Sequence, residues 1–140
     1  MALSLEDRQQ IADLVSRYNM TNDAVQAEEW AATFTEDGTM VVNGMEMATG
    51  RAALIAHLAK RNAPGAPKLR LRHWTTNLVI EGDGAKATLA AYVMAFRIED
   101  GLGPPYVMGE YKDDLVKSNG NWKFKIRRMT VVAGTSTASR

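Results

Sequence analysis

The 140-residue chain has no cysteine, two histidines and four prolines. Without thiols it forms no disulfide, no thiolate metal centre and no cysteine nucleophile. Two histidines among scattered carboxylates make a poor metal site, and we expect neither metal nor cofactor. No apolar run approaches the roughly 20 residues that a membrane helix needs. The opening Met1-Ala2-Leu3-Ser4-Leu5-Glu6-Asp7 has no basic stretch leading into an apolar one, so we expect no secretory signal, no membrane contact and a cytoplasmic location. Neither sign of charge dominates: 17 Lys+Arg against 16 Asp+Glu leave +1, not the basic excess of a nucleic-acid binder. Lys68, Arg70 and Arg72, and later Lys123, Lys125, Arg127 and Arg128, alternate with apolar residues and read as solvated sheet faces.

What is present is a globular composition, 46% hydrophobic and 24% charged, and residues 1–140 read as one domain. Ser4-Leu5-Glu6-Asp7 resembles a capping box with Asp in place of Glu. Ile11, Leu14, Val15 and Tyr18 then mark one face of a helix that ends over Asn19 to Asp23. A second helix is expected over Ala24 to Phe34, with Trp30 and Phe34 one turn apart and Glu36-Asp37-Gly38 stopping it. Thr39 to Val42 and Met45 to Ala48 form a hairpin about Asn43-Gly44. A third helix carries Leu54, Ile55 and Leu58 and breaks at the proline-bearing segment 62–67.

From Leu69 the character changes. Four long β-type runs, Leu69–Ile80, Ala85–Ile98, Tyr106–Lys117 and Trp122–Val132, are separated by glycine-rich turns, and the small, polar tail from Gly134 is expected to fray. Helices first and an antiparallel meander second is an α+β order. Strands of about 12 residues must twist and curl. The expected architecture is a cone-shaped barrel: a curved, mostly antiparallel sheet wrapped around three N-terminal helices, with an internal pocket for a small molecule. Apolar residues on both strand faces imply that a second subunit covers the convex side, in a homodimer or homotrimer.

Two residues suggest chemistry. Asp23 lies at the end of the first helix, and His73 opens a β run. An imidazole titrates near neutral pH, and a carboxylate on one ring nitrogen fixes its tautomer so that the other can act as a base. Strand alternation puts His73, Thr75, Asn77 and Val79 on one face, a suitable pocket wall, with Trp74, Thr76, Leu78 and Ile80 opposite. Asp23 could equally cap the second helix, and Tyr18 could simply pack in the core. His57 reads as a surface helix residue, while the methionines, Met40, Met45, Met47, Met94 and Met108, read as core.

Tyr18…Asp23, Trp30…Phe34…Asp37-Gly38, Thr49-Gly50-Arg51, His73…Asn77-Leu78, Gly109-Glu110-Tyr111-Lys112-Asp113 and Gly120-Asn121-Trp122-Lys123-Phe124 span most of the chain, about residues 5–133. Together they resemble the SnoaL-like group of the nuclear transport factor 2-like superfamily, near scytalone dehydratase, bile-acid 7α-dehydratase and hexachlorocyclohexane dehydrochlorinase. The resemblance implies that Asp23 and His73 form the general-base pair, that Tyr18 matches a functional tyrosine of the bile-acid enzyme, and that Arg127 matches a last-strand arginine of the dehydrochlorinase. Strand pattern instead turns Arg128 inward with Trp122, Phe124 and Ile126, and a β-bulge would reconcile the two. The further acid of the bile-acid enzyme and the second histidine of scytalone dehydratase have no counterpart here. The expected function is a cofactor-independent lyase (dehydratase-like) or isomerase acting on a small, mostly apolar ring compound. Asp23, His73 and Tyr18 are the catalytic candidates, and Arg127, Arg128, Trp30, Phe34, Asn77, Tyr92, Met94 and Met108 the lining ones. A polyketide-cyclase-like or ketosteroid-isomerase-like enzyme, or a non-catalytic module like the small subunit of ring-hydroxylating dioxygenases, is the alternative.

Overall fold

A computed structural model describes residues 2–99 and 101–134; most of the tail expected to fray, 135–140, lies outside the described residues. Helix α1 runs Leu5–Asp23, α2 Ala27–Ala31 and α3 Arg51–Ala59. The strands are β1 Phe34–Val42, β2 Met45–Thr49, β3 Leu71–Gly82, β4 Lys86–Glu99, β5 Gly101–Ser118 and β6 Asn121–Gly134. They form one six-stranded sheet in the order β2-β1-β6-β5-β4-β3. Among the described residues only β1 and β6 pair in parallel. The sheet curls over the helices as an α+β layer but does not close, since β2 and β3 remain its edges.

The first helix starts as its sequence demands. Ser4 Oγ accepts from the Asp7 backbone N–H at 3.0 Å, and Asp7 accepts from Ser4 N at 3.2 Å. The other oxygen of Asp7 accepts from Lys117 Nζ at 3.0 Å and Trp122 Nε1 at 2.9 Å. These bonds hold the Asp7 carboxyl well below the usual carboxylate range, the one from Trp122 most strongly. The same residue therefore caps α1 and ties it to β5 and β6. Asn43-Gly44 and Asn119-Gly120, all with positive φ, turn their hairpins as type I′ pairs whose twist suits the strands.

Two elements depart from expectation. The second helix is a single short stretch, because Phe34 already belongs to β1 and pairs with Phe124 of β6. Sheet pairing thus overrides the local pattern, and Glu36-Asp37-Gly38 lies inside a strand with an irregular register. The glycine- and proline-rich segment after β4 is likewise taken up into β5.

Bulges set which side chains reach the concave face. In β3 the pairing with β4 slips between Thr76 and Val79, where Asn77 adopts φ 59°. Before the slip, Leu71, His73 and Thr75 face inward; after it, Leu78 and Ile80 do, and Val79 is exposed. In β6 the register slips beside Lys125, so Trp122 and Phe124 face inward, then Arg127 and Met129. A third slip falls at Gly109, where a Cβ would sit 2.8 Å from both Met129 Cε and Thr130 O.

Along strand β4 the alternate residues Ala87, Leu89, Ala91, Val93 and Ala95 are buried on the concave side. Tyr92, Met94 and Phe96 therefore face the convex side.

Candidate functional site

The last turns of α1 lie antiparallel to the opening of edge strand β3. Four helical residues rise about 6 Å, close to the ~6.6 Å spanned by two strand residues. Two side-chain pairs can therefore meet in register. Asn19 Nδ2 donates to Thr75 Oγ1 at 2.9 Å, and Asp23 Oδ1 meets His73 Nδ1 at 2.5 Å. The second oxygen of Asp23 accepts from the His73 backbone N–H at 3.0 Å. That N–H is the free-edge donor of β3, so a single carboxylate fixes both the strand and the ring. The pair is withdrawn from solvent, with side chains 13% (His73) and 9% (Asp23) exposed. With Nδ1 committed to the carboxylate, Nε2 carries the free lone pair.

Deeper in the cone, Tyr18 packs against Trp30, Phe34, Tyr111 and Phe124, with centroids 5.6–6.2 Å apart. Arg127 enters this aromatic cluster only 1% exposed. Its Cζ lies 3.5 Å from the Tyr111 ring centroid, 4.1 Å from that of Tyr18 and 4.4 Å from that of Phe124. Its counter-charge is Asp113, with Nε 3.4 Å from Oδ2. No guanidinium nitrogen of Arg127 makes a hydrogen bond among the described residues, an arrangement that buried cations rarely tolerate without a water or ligand. Burial pushes the Asp113 carboxyl up to about 6, against the opposing pull of Arg127. Burial likewise raises Tyr18 and Tyr111, so both are neutral phenols able to donate.

The inner wall thus carries, in sequence, a histidine held by a carboxylate, two phenols and an unsatisfied guanidinium. Such a set can take a proton at His73 and offer donors to a developing negative charge. Among the described residues no group of three or more His, Asp or Glu could hold a metal ion.

The chain matches a SnoaL-like domain model over residues 3–128. The chain belongs to the SnoaL-like family. A protein of unknown function from Mycobacterium tuberculosis, solved as an Asp-to-Asn variant, is 31% identical at TM-score 0.79, covering 98% of this chain and 81% of that one. A putative scytalone dehydratase from Novosphingobium aromaticivorans is 27% identical at TM-score 0.78, covering 92% and 86%. A cystatin-like-fold protein of unknown function from Nostoc punctiforme is 27% identical at TM-score 0.80, covering 94% and 95%. No curated protein matches.

Among this SnoaL-like chain's expected site residues, Asp23, His73, Tyr18, Trp30, Phe34 and Arg127 face the concave side. Others do not. Arg128 points outward to Asp114, at 3.0 Å, because the slip beside Lys125 reverses the strand's phase. Asn77 is exposed at the bulge of β3 rather than in the pocket wall. Tyr92, 54% exposed, Met108, 40% exposed, and Met94 belong to the convex face, since they alternate with the buried Ala91, Val93, Ala95 and Val107 of β4 and β5. Met45 is exposed too. His57 is half-buried rather than freely exposed: it stacks on Trp30 at 6.2 Å, and burial lowers its pKa. Thr75 lies on the inward face where alternation placed it, whereas sequence reasoning passed over Asn19, Tyr111 and Asp113 as site residues. A signal was available for the first, one helical turn before Asp23, and for Tyr111 and Asp113 in their shared alternation on β5.

Proposed function

We propose that the protein is a cofactor-independent general-base enzyme, a dehydratase-like lyase or an isomerase, acting on a small, mostly apolar ring compound. The observation that carries this is the two-oxygen grip of Asp23 on His73. In the proposed reaction Asp23 holds Nδ1–H, and Nε2 removes a proton from a carbon beside a carbonyl or a leaving group. Tyr18 and Arg127, with Tyr111, stabilise the negative charge that develops on the carbonyl oxygen or the departing hydroxide. A positioned base contributes typically about 10²–10⁴-fold, and the anion donors add to it. The likeness to a putative scytalone dehydratase supports the lyase reading. A non-catalytic binding or assembly module needs only the backbone bond from His73 N to Asp23, not the second bond to the ring.

The test is proton exchange in D2O with a panel of cyclic β-hydroxyketones, followed by NMR and product analysis. Exchange or loss of water that disappears in both His73→Ala and Asp23→Ala is the expected result. Activity retained by either variant overturns the base assignment, and ring closure without loss of water would favour the cyclase alternative.

We also propose that two copies associate through the convex sheet face. Trp74 (58% exposed), Tyr92, Met108 and Val132 expose apolar surface there, and Glu110 and Lys112 are exposed on the same strand. A two-fold axis can set the acid of one copy against the base of the other.

A further inference from the structure

Beside the dyad the molecule opens a cavity of about 580 Å³ between the end of α1, the segment after α3 and the start of β3. Asp23 is part of its wall, and so are Arg61, Lys68, Arg70 and Arg72. Four cationic side chains thus line one recess of a chain whose overall charge is only +1. The one carboxylate among them is already engaged by His73.

The four cations are not equivalent. Arg61 is built in: it donates to the Asn22 carbonyl at 3.0 Å, to Asn22 Oδ1 at 2.8 Å and to the Leu69 carbonyl at 3.4 Å. It thereby fastens the C-terminal end of α1 to the segment leading into β3, and a cation at a helix C-terminus is itself favourable. Its Nε is buried without a hydrogen-bond partner among the described residues. Lys68, Arg70 and Arg72 are exposed, and none of them pairs with a carboxylate among the described residues. Elsewhere the chain readily matches such groups, as Lys117 with Asp7 and Arg128 with Asp114 show. A concave site lined with one sign of charge focuses the field and draws in the opposite charge.

We infer that this recess takes the anionic group of the substrate, a carboxylate or a phosphate monoester, and so holds an acidic ring compound beside Asp23, the member of the pair that lines it. The inference rests on the general-base reading for what happens to the ring. It does not need that reading for the binding itself. Arg61 supplies a fixed wall, and the exposed trio, of which Arg72 also donates to the Leu71 carbonyl at 2.9 Å, supplies the further cations, Lys as a point charge and Arg as a two-pronged donor.

The test is calorimetric titration of the whole protein with 2-naphthoate, 2-naphthyl phosphate and the neutral 2-naphthamide at about 0.1 M NaCl. At least one anion is expected to bind roughly tenfold or more tightly than the amide, and to lose most of that advantage at about 0.5 M salt. The tighter anion identifies the group. The double variant Arg70→Glu/Arg72→Glu is expected to abolish the preference, while Lys112→Glu, on the convex face, keeps it. Equal binding of anions and amide overturns the inference, as does failure of every probe to bind or a preference that survives the double reversal. His73→Ala is expected to keep the anion preference, so loss of the base and loss of the anion site are read separately.

Discussion

Asp23 grips His73 twice, at the ring through Oδ1 and at the backbone through Oδ2. The two residues therefore answer mutation differently. Asp23→Ala strands the His73 N–H at a half-buried strand edge and should cost about 1–3 kcal/mol. His73→Ala keeps that backbone bond and should cost less. Denaturant unfolding checks the order. In ¹⁵N-resolved spectra the wild-type ring should show a protonated Nδ1 and a bare Nε2 when neutral, and Asp23→Ala should mix the tautomers. A wild-type ring already mixed between tautomers would remove the basis for the base.

Asn77 sits at φ 59° in the slip of β3. Asparagine tolerates the left-handed region, whereas a β-branched residue there pays about 1–2 kcal/mol. Asn77→Val should be destabilising by that amount, and Asn77→Gly near neutral. Urea midpoints compare them, and equal stability of all three proteins would mean that the bulge relaxes away.

Asp113 ties stability to pH. Its folded pKa is raised from the usual 3.8 to about 6 by burial, so the folded state holds its proton more tightly than the unfolded chain does. That contribution is complete below pH ~4 and is lost as pH rises through ~6, on the order of 3 kcal/mol in all. Asp113→Asn cannot titrate, so its stability relative to the wild type should rise across this window. Because Arg127 pulls the carboxyl down, Arg127→Met should move the titration to higher pH. Unfolding curves from pH ~4 to ~8 check the slope, and carboxyl ¹³C shifts follow Asp113 directly.

The convex face gives an oligomer test. Trp74 and Phe96 pack there as a tilted pair with centroids 4.9 Å apart, next to Met94 and Met108. Trp74→Lys with Met108→Lys should leave the fold intact and shift the sedimentation coefficient to that of a monomer. A wild-type protein that is already monomeric at about 50 μM would count against association through this face.

Much of this was legible in the chain because it is local. The capping box at Ser4, the apolar face from Ile11 to Tyr18, the Asn43-Gly44 turn and the long strands each follow from a few adjacent residues. The Asp23–His73 juxtaposition was readable through family resemblance, and the helix-to-strand spacing explains why it works. Strand phase was harder. Alternation predicts side-chain direction only until a bulge intervenes, and the slips at Asn77 and Lys125 reverse it within single strands. Asn77 and Arg128 moved outward for that reason, and Arg127 moved in. Tyr92 and Met94 were misplaced differently: hydrophobicity favours them inside, yet they alternate with the buried Ala91, Val93 and Ala95 and so fall on the opposite face of β4.

The slip at Asn77 divides β3 into two stretches with opposite handed duties. Residues 71–76 present polar groups to the end of α1, and 78–82 present apolar ones to its beginning. The slip lets one strand turn His73 and Thr75 inward before it and Leu78 and Ile80 inward after it, against its own alternation. A lineage could exchange the chemistry at one end of this strand while the adhesive seam at the other stays untouched, which makes the bulge a joint between an inherited scaffold and a replaceable tool.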